Sequence, residues 1–412
     1  MKPESFAMPD FETAMLLATG GDERIALKEG RNLYGCSPWP ERDLVEFGSS
    51  TASTISEGAY RKVCSLRKRI GHDRVGAAFF ELRSQFADLF GMAERSVLFC
   101  ESGTDAHRIA CEMLKPDLVL MVEAGETGKG VPLALSGAKV LQVPIRDPDG
   151  RPRDPGLIDA DFARLAREGA KDGKRVLLVQ TDVSKTGMIA PSYSLTTSLK
   201  TGRIAEILVD ACQFRISGKT LLACRQRGFM VALTGSKFFT GPTFSGALVF
   251  PDEPFDAPVL EENFGLLLRW EAALFEMKAF LFREQGHEDF FAGFAKGIAE
   301  RLEADPAFFP VPVPAIDRSA LAAEKSWDSI ASVFPFMLRK KGRFLGREEA
   351  LAVHSGMRRQ RFVLGQPVYP GTGAALRISS SARLALLGGA DEILHLAMQA
   401  LDKAAWLASD LG

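Results

Sequence analysis

Residues Thr234 to Phe250 read TGSKFFTGPTFSGALVF, and this stretch decides the fold. Lys237 lies among small residues, and two phenylalanines follow it. The flanking segments TGS and GPTFSG are poor interior for a helix or a strand, which indicates backbone that approaches another group closely. Such neighbours suit a reactive amine, because they admit a bulky group and favour the neutral amine by desolvation. A surface lysine at a loop tip is the alternative interpretation of Lys237 alone.

The bulk composition describes a globular protein with room for two domains. The chain has 412 residues, of which 46% are hydrophobic and 25% charged, enough for a sizeable core. Lys and Arg total 51 against 52 Asp and Glu, for a formal net charge of -1. This balance gives no electrostatic case for nucleic acid or an anionic membrane as the main partner. No apolar run approaches the roughly 20 residues that span a bilayer.

The N-terminus and the cysteines indicate the compartment. The opening MKPESFAMPDFETAM lacks a basic start followed by an apolar core, so we expect no signal peptide. The six cysteines are scattered, without C-x-x-C pairs and without histidines at metal-ligand spacing. They predict free thiols in a reducing cytoplasm and no metal site. The five histidines (residues 72, 107, 287, 354 and 395) show no paired spacing, and we expect solvated or core roles for them.

Short apolar runs alternate with helical segments from residue 96 onward. The predicted strands are SVLFCE, DLVLMVE, AKVLQVPI, KRVLLVQTDV, AEILVDACQ, FMVALTG and GALVF. Such near-continuous apolar strands separated by helices predict an α/β fold with a mostly parallel sheet, covered on both faces. Ligands of such sheets bind beyond the carboxyl ends of the strands. Each candidate site segment of this chain follows a strand.

The remaining segments predict a second, smaller unit. An N-terminal segment (1–55) holds a short helix and a Ser/Thr run after Gly48, which is either a helix-capping loop or part of a pocket wall. Residues 56–262 form the predicted large domain, and 56–91 have a helical pattern. Residues 263–412 form the predicted small α+β domain, which the N-terminal segment joins. The apolar face of Phe264 to Phe282 belongs either to a subunit interface or to the domain core.

The turn Ser102-Gly103-Thr104-Asp105 connects a strand to a helix. Free N–H groups at a helix N-terminus beside Ser and Thr hydroxyls make a phosphate site. An ordinary helix cap is the alternative. The chain has no G-x-x-x-x-G-K-[ST] motif and no G-x-G-x-x-G after its first strands, which argues against a P-loop and against a dinucleotide enzyme.

Further candidate residues lie at the end of one strand, after a second strand and within a third. Asp210 ends EILVD and can pair with a protonated ring nitrogen, or can cap the next turn; Gln213 comes three residues later. Thr186 and Gly187 suit the close approach of a flat ligand, or a plain turn. Arg377, in LRISSS, can grip a carboxylate through two parallel hydrogen bonds, or can be a surface residue.

The order of these segments resembles the fold-type I pyridoxal-phosphate (PLP) enzymes, in particular their class V aminotransferase and cysteine desulfurase branch. The segment VDACQ resembles the VDA-x-Q segment of that branch. The segment GSKFFTGPTFSGALVF is similar to its H-K-x-x-GP-x-G-x-G-x-L segment. The resemblance spans residues 96 to 250 and is weaker at Arg377.

The resemblance implies a role for each candidate residue. Lys237 forms a Schiff base with pyridoxal 5'-phosphate, and Asp210 pairs with the ring nitrogen. Gln213 approaches the phenolic oxygen of the ring, and Arg377 holds the α-carboxylate of the substrate. The other implied cofactor-binding residues are Ser102, Gly103, Thr104, Thr186 and Ser236, of which Gly103, Thr104 and Ser236 bind the phosphate.

Two departures from the branch bear on the reaction. Ser236 stands where the branch has a histidine before the lysine, and Glu123 to Thr127 (EAGET) holds no ring to stack on the cofactor.

Transamination between a small amino acid and a keto acid is the favoured function. A PLP lyase or a carbon–carbon bond-forming enzyme is the alternative, and a non-catalytic binding protein is the third. Sulfur transfer is disfavoured because the last cysteine is Cys224. The resemblance also implies a homodimer with shared active sites.

Overall fold

The computed structural model describes residues 10–71, 74–128, 130–252, 263–283, 286–321, 324, 326–371 and 373–411. Residues 1–9, His72 and the predicted domain boundary at residue 262 lie outside the described residues. The strands of the described part are β1 (Val45–Phe47), β2 (Val97–Cys100), β3 (Leu118–Val122), β4 (Lys139–Val143), β5 (Val176–Thr181), β6 (Glu206–Ala211), β7 (Met230–Thr234), β8 (Gly246–Val249), β9 (Phe308–Pro310), β10 (Val333–Lys340), β11 (Arg343–Phe344), β12 (Phe362–Val368) and β13 (Ala375–Ser379).

Helices of the described part cover these strands. They are α1 (Phe11–Leu17), α2 (Glu57–Arg69), α3 (Val75–Leu89), α4 (Gly103–Leu114), α5 (Val131–Ala134), α6 (Pro155–Lys171), α7 (Tyr193–Thr201), α8 (Gly218–Gln226), α9 (Phe264–Leu281), α10 (His287–Ala304), α11 (Arg347–Met357), α12 (Ala382–Leu387) and α13 (Ala390–Asp410). Serine side chains cap several of them: Ser56 begins α2, Ser192 begins α7 and Ser217 begins α8. Each serine oxygen accepts a hydrogen bond from a backbone N–H of the first turn, which would otherwise lack an acceptor.

A seven-stranded sheet forms the large layer. Its strand order is β2-β8-β7-β6-β5-β3-β4, and every neighbouring pair is parallel except the two that β8 makes. Side chains of β3 alternate between two hydrophobic clusters. Leu118 and Leu120 lie in one cluster, and Val119 and Met121 lie in the other. The sheet is therefore buried on both faces, which is why its strands are apolar throughout. The mostly parallel seven-stranded sheet predicted from the sequence is confirmed.

A second sheet has the order β1-β12-β13-β10-β11, with β9 paired to β10. β1 runs parallel to β12, with Val45 opposite Phe362. A strand from the predicted N-terminal segment thus lies in the sheet of the C-terminal part. The division of the chain into domains stays a prediction.

Helix α9 belongs to the core. Trp270 packs against Phe86 and Phe99 with ring centroids 5.6 and 4.4 Å away. Its indole nitrogen donates a hydrogen bond of 2.8 Å to the carbonyl of Gly246, at the start of β8. Most of the apolar face of α9 is buried in the same way, while Phe275 and Phe282 are exposed. Among the described residues, no helix is both long enough and apolar enough to cross a membrane.

Some elements carry little sequence signal. The pattern over residues 56–91 predicts one helical stretch, but the structure ends α2 at Arg69 and begins α3 at Val75. β12 contains Gly365 and Pro367, which disfavour a strand, and its pairing with β13 shifts register between Gly365 and Val368. A Cβ at Gly365 would lie 2.5 Å from Ser50 Oγ, so the close approach of β12 to Ser50 requires glycine.

We predict that His354, on α11, makes the protein sensitive to acid. Burial lowers its pKa from 6.5 to about 4, and Arg377 and Arg358 act in the same direction. The unfolded state therefore binds a proton more readily, so the stability is fully present above pH 6.5 and decreases as the pH falls toward 4. We expect the variant His354→Gln to lose less stability than the wild type over this range, as measured by urea denaturation. His395→Gln, at an exposed position, is the control and should follow the wild type.

Candidate active site

The candidate residues meet at the edge where the parallel strands end. Ser102 follows β2, Thr186 follows β5, Asp210 lies near the end of β6, and Lys237 follows β7. β8 begins at this edge and runs back beside β2. A Cβ at Gly246 would lie 2.4 Å from the backbone of Ser102, so this close approach requires glycine. The edge matches the position at which α/β sheets bind ligands.

The loop that carries Lys237 is packed against α9. A Cβ at either Gly235 or Gly241 would lie 2.6 Å from the Cβ of Ala273. The close backbone approach predicted from this glycine pattern is therefore an approach to a helix. The carbonyl of Gly235 accepts a 2.9 Å hydrogen bond from Gly241 N–H, and the carbonyl of Lys237 accepts one of 2.9 Å from Thr240 N–H. These contacts fix the backbone on both sides of the lysine.

The two phenylalanines after Lys237 anchor it. Phe238 and Phe239 are both fully buried. Phe238 stacks on Trp327 with ring centroids 4.7 Å apart, and Phe239 meets Phe214 edge-on at 4.7 Å. The lysine is therefore held by a rigid aromatic cluster, and only its own side chain projects toward the edge of the sheet.

Lys237 itself is half-buried, and its Nζ has no hydrogen-bond or ion-pair partner among the described residues. Burial lowers the pKa of this amine, and the charges of Arg377 and Arg215 add to the effect. Cys212 and Asp210 oppose it without reversing it. A lowered pKa raises the fraction of neutral amine, which is the nucleophilic form.

Asp210 is buried beside His107. The Nε2 atom of His107 lies 3.5 Å from Asp210 Oδ2, and its Nδ1 lies 2.7 Å from the carbonyl oxygen of Gly103. Burial alone would raise the pKa of Asp210, but the nearby His107 more than offsets it and holds the pKa below its ordinary value. Burial likewise opposes the charge of His107, yet Asp210 raises the pKa of the imidazole overall. The carboxylate is therefore held in its ionised form.

The turn before α4 offers hydrogen-bond donors. The hydroxyl of Ser102 accepts from Asp105 N–H at 3.2 Å and donates to the Asp105 carboxylate at 2.7 Å. Ser102 thus caps the helix, which is the alternative left open for it by the sequence. The N–H groups of Gly103 and Thr104 have no acceptor among the residues that the structure describes. Ser236 lies close by, with its hydroxyl 3.5 Å from that of Thr234.

Thr186 belongs to a buried polar cluster. Its hydroxyl donates to Glu126 Oε2 at 2.6 Å and accepts from Arg146 Nη2 at 2.8 Å. Arg146 also bonds the other oxygen of Glu126 at 2.7 Å, and Ser184 donates to Glu126 at 2.7 Å. The cluster borders a cavity of about 400 Å3. Glu126 lies in the segment EAGET, so a carboxylate, with no aromatic ring, is buried there.

Gln213 and Arg377 converge on the loop after β1. Gln213 Nε2 donates to the carbonyl of Ser50 at 3.0 Å. Arg377 donates to the same carbonyl at 3.3 Å, to Thr51 Oγ1 at 2.8 Å, and to the carbonyl of Gln366 at 2.8 Å. Arg377 makes no ion pair with a carboxylate in the described part of the chain. Burial lowers its pKa to about 10, with the more distant Glu126 opposing the shift.

The structure thus brings Lys237, Asp210 and the turn at Gly103 to one edge, with Arg377 within electrostatic reach of the lysine. Sequence reasoning did not single out His107, Arg215 or Glu126. His107 had a detectable signal, since it lies one helical turn after Gly103 on the helix that begins at the candidate phosphate turn. Arg215 and Glu126 had no such signal in the sequence, because their contacts come from distant parts of the chain.

The architecture is that of an α/β protein whose candidate site lies at the carboxyl edge of its larger sheet, and solved structures identify the fold more closely. A NifS-like protein from Rickettsia africae matches with a TM-score of 0.61 and 11% identity, over 88% of this chain and 99% of that chain. A cysteine desulfurase from Thermococcus onnurineus matches with a TM-score of 0.58 and 14% identity, over 89% and 95%. A variant of C-DES with glycine covalently linked to its PLP cofactor matches with a TM-score of 0.59 and 14% identity, over 91% and 100%.

No protein-family model and no curated protein sequence matches this chain. The structural likenesses, at these identities, concern the fold. They confirm the fold expected from the resemblance: the chain has the fold-type I architecture, which it shares with these NifS-like, cysteine desulfurase and C-DES structures.

We predict that replacing His107 with Asn removes a pH-dependent stabilisation. The raised pKa of His107 means that its pairing with Asp210 is fully present below pH 6.5 and is lost as the pH rises through that raised pKa. Asn retains a donor for the carbonyl of Gly103 but carries no charge. We expect the variant to lose about 2 kcal/mol of unfolding free energy at pH 6, and less at pH 9, by urea denaturation.

His287 supplies the matched control for this experiment. It is buried, with Nε2 2.8 Å from the carbonyl of Phe280, and makes no carboxylate pair in the described residues. A His287→Gln variant should not show a loss that grows toward pH 6. Equal losses at the two pH values in His107→Asn would contradict an ionic role for His107.

Proposed function

We propose that this protein is a PLP-dependent enzyme that acts on an amino acid through Lys237, and that its reaction is transamination. One observation carries the proposal. Lys237 and Asp210 are close enough for each charge to shift the pKa of the other group, yet they form no ion pair. An amine and an ionised carboxylate that are within electrostatic range of each other but do not pair are both available to a group that binds to both.

The residues at this edge fit PLP. The free N–H groups of Gly103 and Thr104, at the start of the twelve-residue helix α4, suit an anionic phosphate. The nearby hydroxyls of Thr104 and Ser236 provide further donors. The carboxylate of Asp210 suits a protonated ring nitrogen, and Lys237 suits the carbonyl carbon of the cofactor. PLP, when bound, supplies an electron sink for the carbon next to the amine of the substrate.

The chain's own residues then have distinct tasks. Lys237 Nζ carries a proton to and from the substrate, which its lowered pKa favours near neutral pH. Asp210 keeps a positive charge at the ring nitrogen, and His107 keeps Asp210 ionised. The aromatic cluster around Phe238 holds the lysine backbone still, so that the amine moves without its loop.

Arg377 is proposed to bind the α-carboxylate of the substrate. Its guanidinium is buried and bonded to neutral oxygens of Ser50, Thr51 and Gln366. A buried cation without a carboxylate is unfavourable, and an incoming carboxylate relieves the cost. The planar guanidinium also orients the substrate, because it forms two parallel hydrogen bonds to a carboxylate.

The cysteines weigh against sulfur transfer. Cys212 is close enough to Lys237 to affect its pKa. Burial and the nearby Asp210 raise the pKa of this thiol well above its ordinary value, so it is a poor nucleophile. Cys224, the last cysteine of the chain, is fully buried. A lyase needs no reactive thiol and is the second candidate, because the cystine C-S lyase C-DES shares the fold.

We further propose that the active form is a homodimer in a reducing cytoplasm, with an amino acid and a keto acid as its substrates. Phe282 is 78% exposed at the end of α9, and Phe11 is 72% exposed on α1. A subunit interface that included these two side chains would remove their apolar surface from water.

We predict that purified protein incubated with PLP becomes yellow and that borohydride fixes the cofactor to Lys237. The absorption spectrum and peptide mapping after reduction measure this directly. Lys237→Ala should take up no borohydride-stable cofactor. Lys185→Ala is the matched control, since the backbone of Lys185 also lines the site, and it should remain yellow. A wild-type protein that stays colourless would favour a binding role without catalysis.

We predict that an amino donor and a keto acid exchange their amino group in the presence of the enzyme, and that Arg377→Gln raises KM for the amino acid about 10- to 100-fold. NMR of the mixture identifies both products. The effect falls on KM because the α-carboxylate is bound in the ground state as well as in the transition state. Release of ammonia from a single amino acid, without any keto acid, would instead establish the lyase.

A further inference from the structure

The buried arginines of the described residues fall into two groups. Three pair with a carboxylate: Arg146 with Glu126, Arg225 with Asp252, and Arg318 with Asp182. Three others form no ion pair there: Arg215, Arg269 and Arg377. A buried guanidinium without a counter-charge is costly, so each member of the second group calls for an explanation.

Arg269 is explained by its surroundings. Its guanidinium donates to the carbonyl of Gly20 at 2.8 Å and to that of Phe244 at 2.7 Å, and it also bonds the carbonyl of Thr19. Thr19 and Gly20 belong to the segment that follows the C-terminal end of α1, where carbonyl dipoles favour a cation. The negative charge of Glu101 also favours the charged form of Arg269, because it raises the pKa of this guanidinium.

No carboxylate charge of the described residues acts on Arg215, and the ring of Phe238, 5.5 Å from its guanidinium, attracts the cation without neutralising it. Arg215 lies between β6 and α8 and is 2% exposed. Its guanidinium donates to neutral groups: the carbonyl of Ser380 at 2.9 Å, the hydroxyl of Ser49 at 2.9 Å and the hydroxyl of Ser332 at 3.1 Å. Burial lowers its pKa to about 9, and the charge that acts on it is another cation, Arg377.

A short hydrogen-bonded chain links Arg215 to Arg377. Arg215 Nε lies 3.4 Å from Gln213 Oε1, and Gln213 Nε2 donates to the carbonyl of Ser50 at 3.0 Å. Arg377 Nη1 donates to that same carbonyl at 3.3 Å. Two buried positive charges therefore flank one short path at the candidate site. A single α-carboxylate neutralises one of them.

Unpaired hydroxyls surround the same path. The Oγ atoms of Ser50, Ser379 and Ser380 are buried and have no hydrogen-bond partner among the described residues. The backbone carbonyl of Ser50 accepts a hydrogen bond from Arg377, and that of Ser380 accepts one from Arg215. Buried hydroxyl groups are rarely left unbonded. Because the residues that carry them contact the two cations, the hydroxyls of Ser50 and Ser380 are candidate donors for an anion.

We propose that Arg215, with the hydroxyls of Ser50 and Ser380, forms an anion subsite beside Arg377 that binds a second acidic group of the substrate. The substrate is then an amino acid with an acidic side chain, and its partner is a dicarboxylic keto acid. This inference rests on the proposed function for the identity of the reacting amine. The two arginines themselves need only a ligand with two acidic groups.

Binding of succinate and butyrate tests the subsite, because both have four carbons and only succinate has two carboxylates. Calorimetric titration of the full-length protein, with its PLP content measured from the absorption spectrum, gives both affinities. We expect succinate to bind at least about tenfold more tightly than butyrate. Arg215→Gln should abolish this preference while leaving the affinity for butyrate unchanged. Arg377→Gln should weaken the binding of both.

Two further variants keep the test decisive. Arg269→Gln removes a matched buried arginine away from the site and should preserve the ratio of the two affinities. Ser380→Ala removes a hydroxyl that has no partner in the described part of the chain, so it should fold even if Arg215→Gln does not. It should weaken the binding of succinate several-fold more than that of butyrate. Equal binding of succinate and butyrate by the wild type overturns the subsite, as does an unchanged ratio in Ser380→Ala and in folded Arg215→Gln.

The PLP measurement separates the two proposals. A protein that prefers succinate through Arg215 but takes up no PLP retains the anion subsite and loses the proposed enzyme. A protein that fixes PLP on Lys237 but does not distinguish the two acids retains the enzyme and loses the acidic substrate. If Arg215 serves the cofactor alone, Arg215→Gln changes PLP uptake without changing the succinate preference, which also overturns the subsite.

Discussion

The contact between the Lys237 loop and helix α9 is the constraint on which the site depends. Gly235 and Gly241 lie so close to Ala273 that neither position has room for a side chain. Phe238 and Phe239, which follow the lysine, are fully buried as well and anchor the loop on its other side. A buried amine is costly, and only a rigid surrounding keeps it from turning toward water. The packing of a helix thus fixes the backbone on both sides of Lys237.

Electrostatic balance distinguishes the two ends of the site. At the end formed by α4, Asp210 and His107 compensate each other, and the shifts of their pKa values express that compensation. At the other end, Arg215 and Arg377 repel each other and have no partner carboxylate within the described ranges. Two of the three buried arginines without an ion pair in the described residues thus act on each other at one place. Both charges lower the pKa of Lys237, so this positive surplus lies within electrostatic range of the amine.

The sequence predicts the large sheet well and the site only in part. Strands β3, β5 and β7 are apolar on both faces, so their pattern is visible without any knowledge of their neighbours. β12 escapes prediction because its glycine is required by a contact with Ser50. Arg215 is hidden for a similar reason. Its partners Ser332 and Ser380 lie 117 and 165 residues further along the chain, so no local pattern distinguishes it from a surface arginine.

The same long-range contacts imply that ligand binding and the packing of the two sheets are coupled. Arg215 follows a strand of the seven-stranded sheet, whereas Ser332 and Ser380 flank strands β10 and β13 of the other sheet. Arg377 belongs to β13 and bonds the carbonyl of Lys185, which follows β5 of the large sheet. Each of the two arginines therefore forms hydrogen bonds across the junction between the two sheets. Since repulsion between them opposes the approach of the two sheets, an anion that neutralises them stabilises the junction as well as the complex.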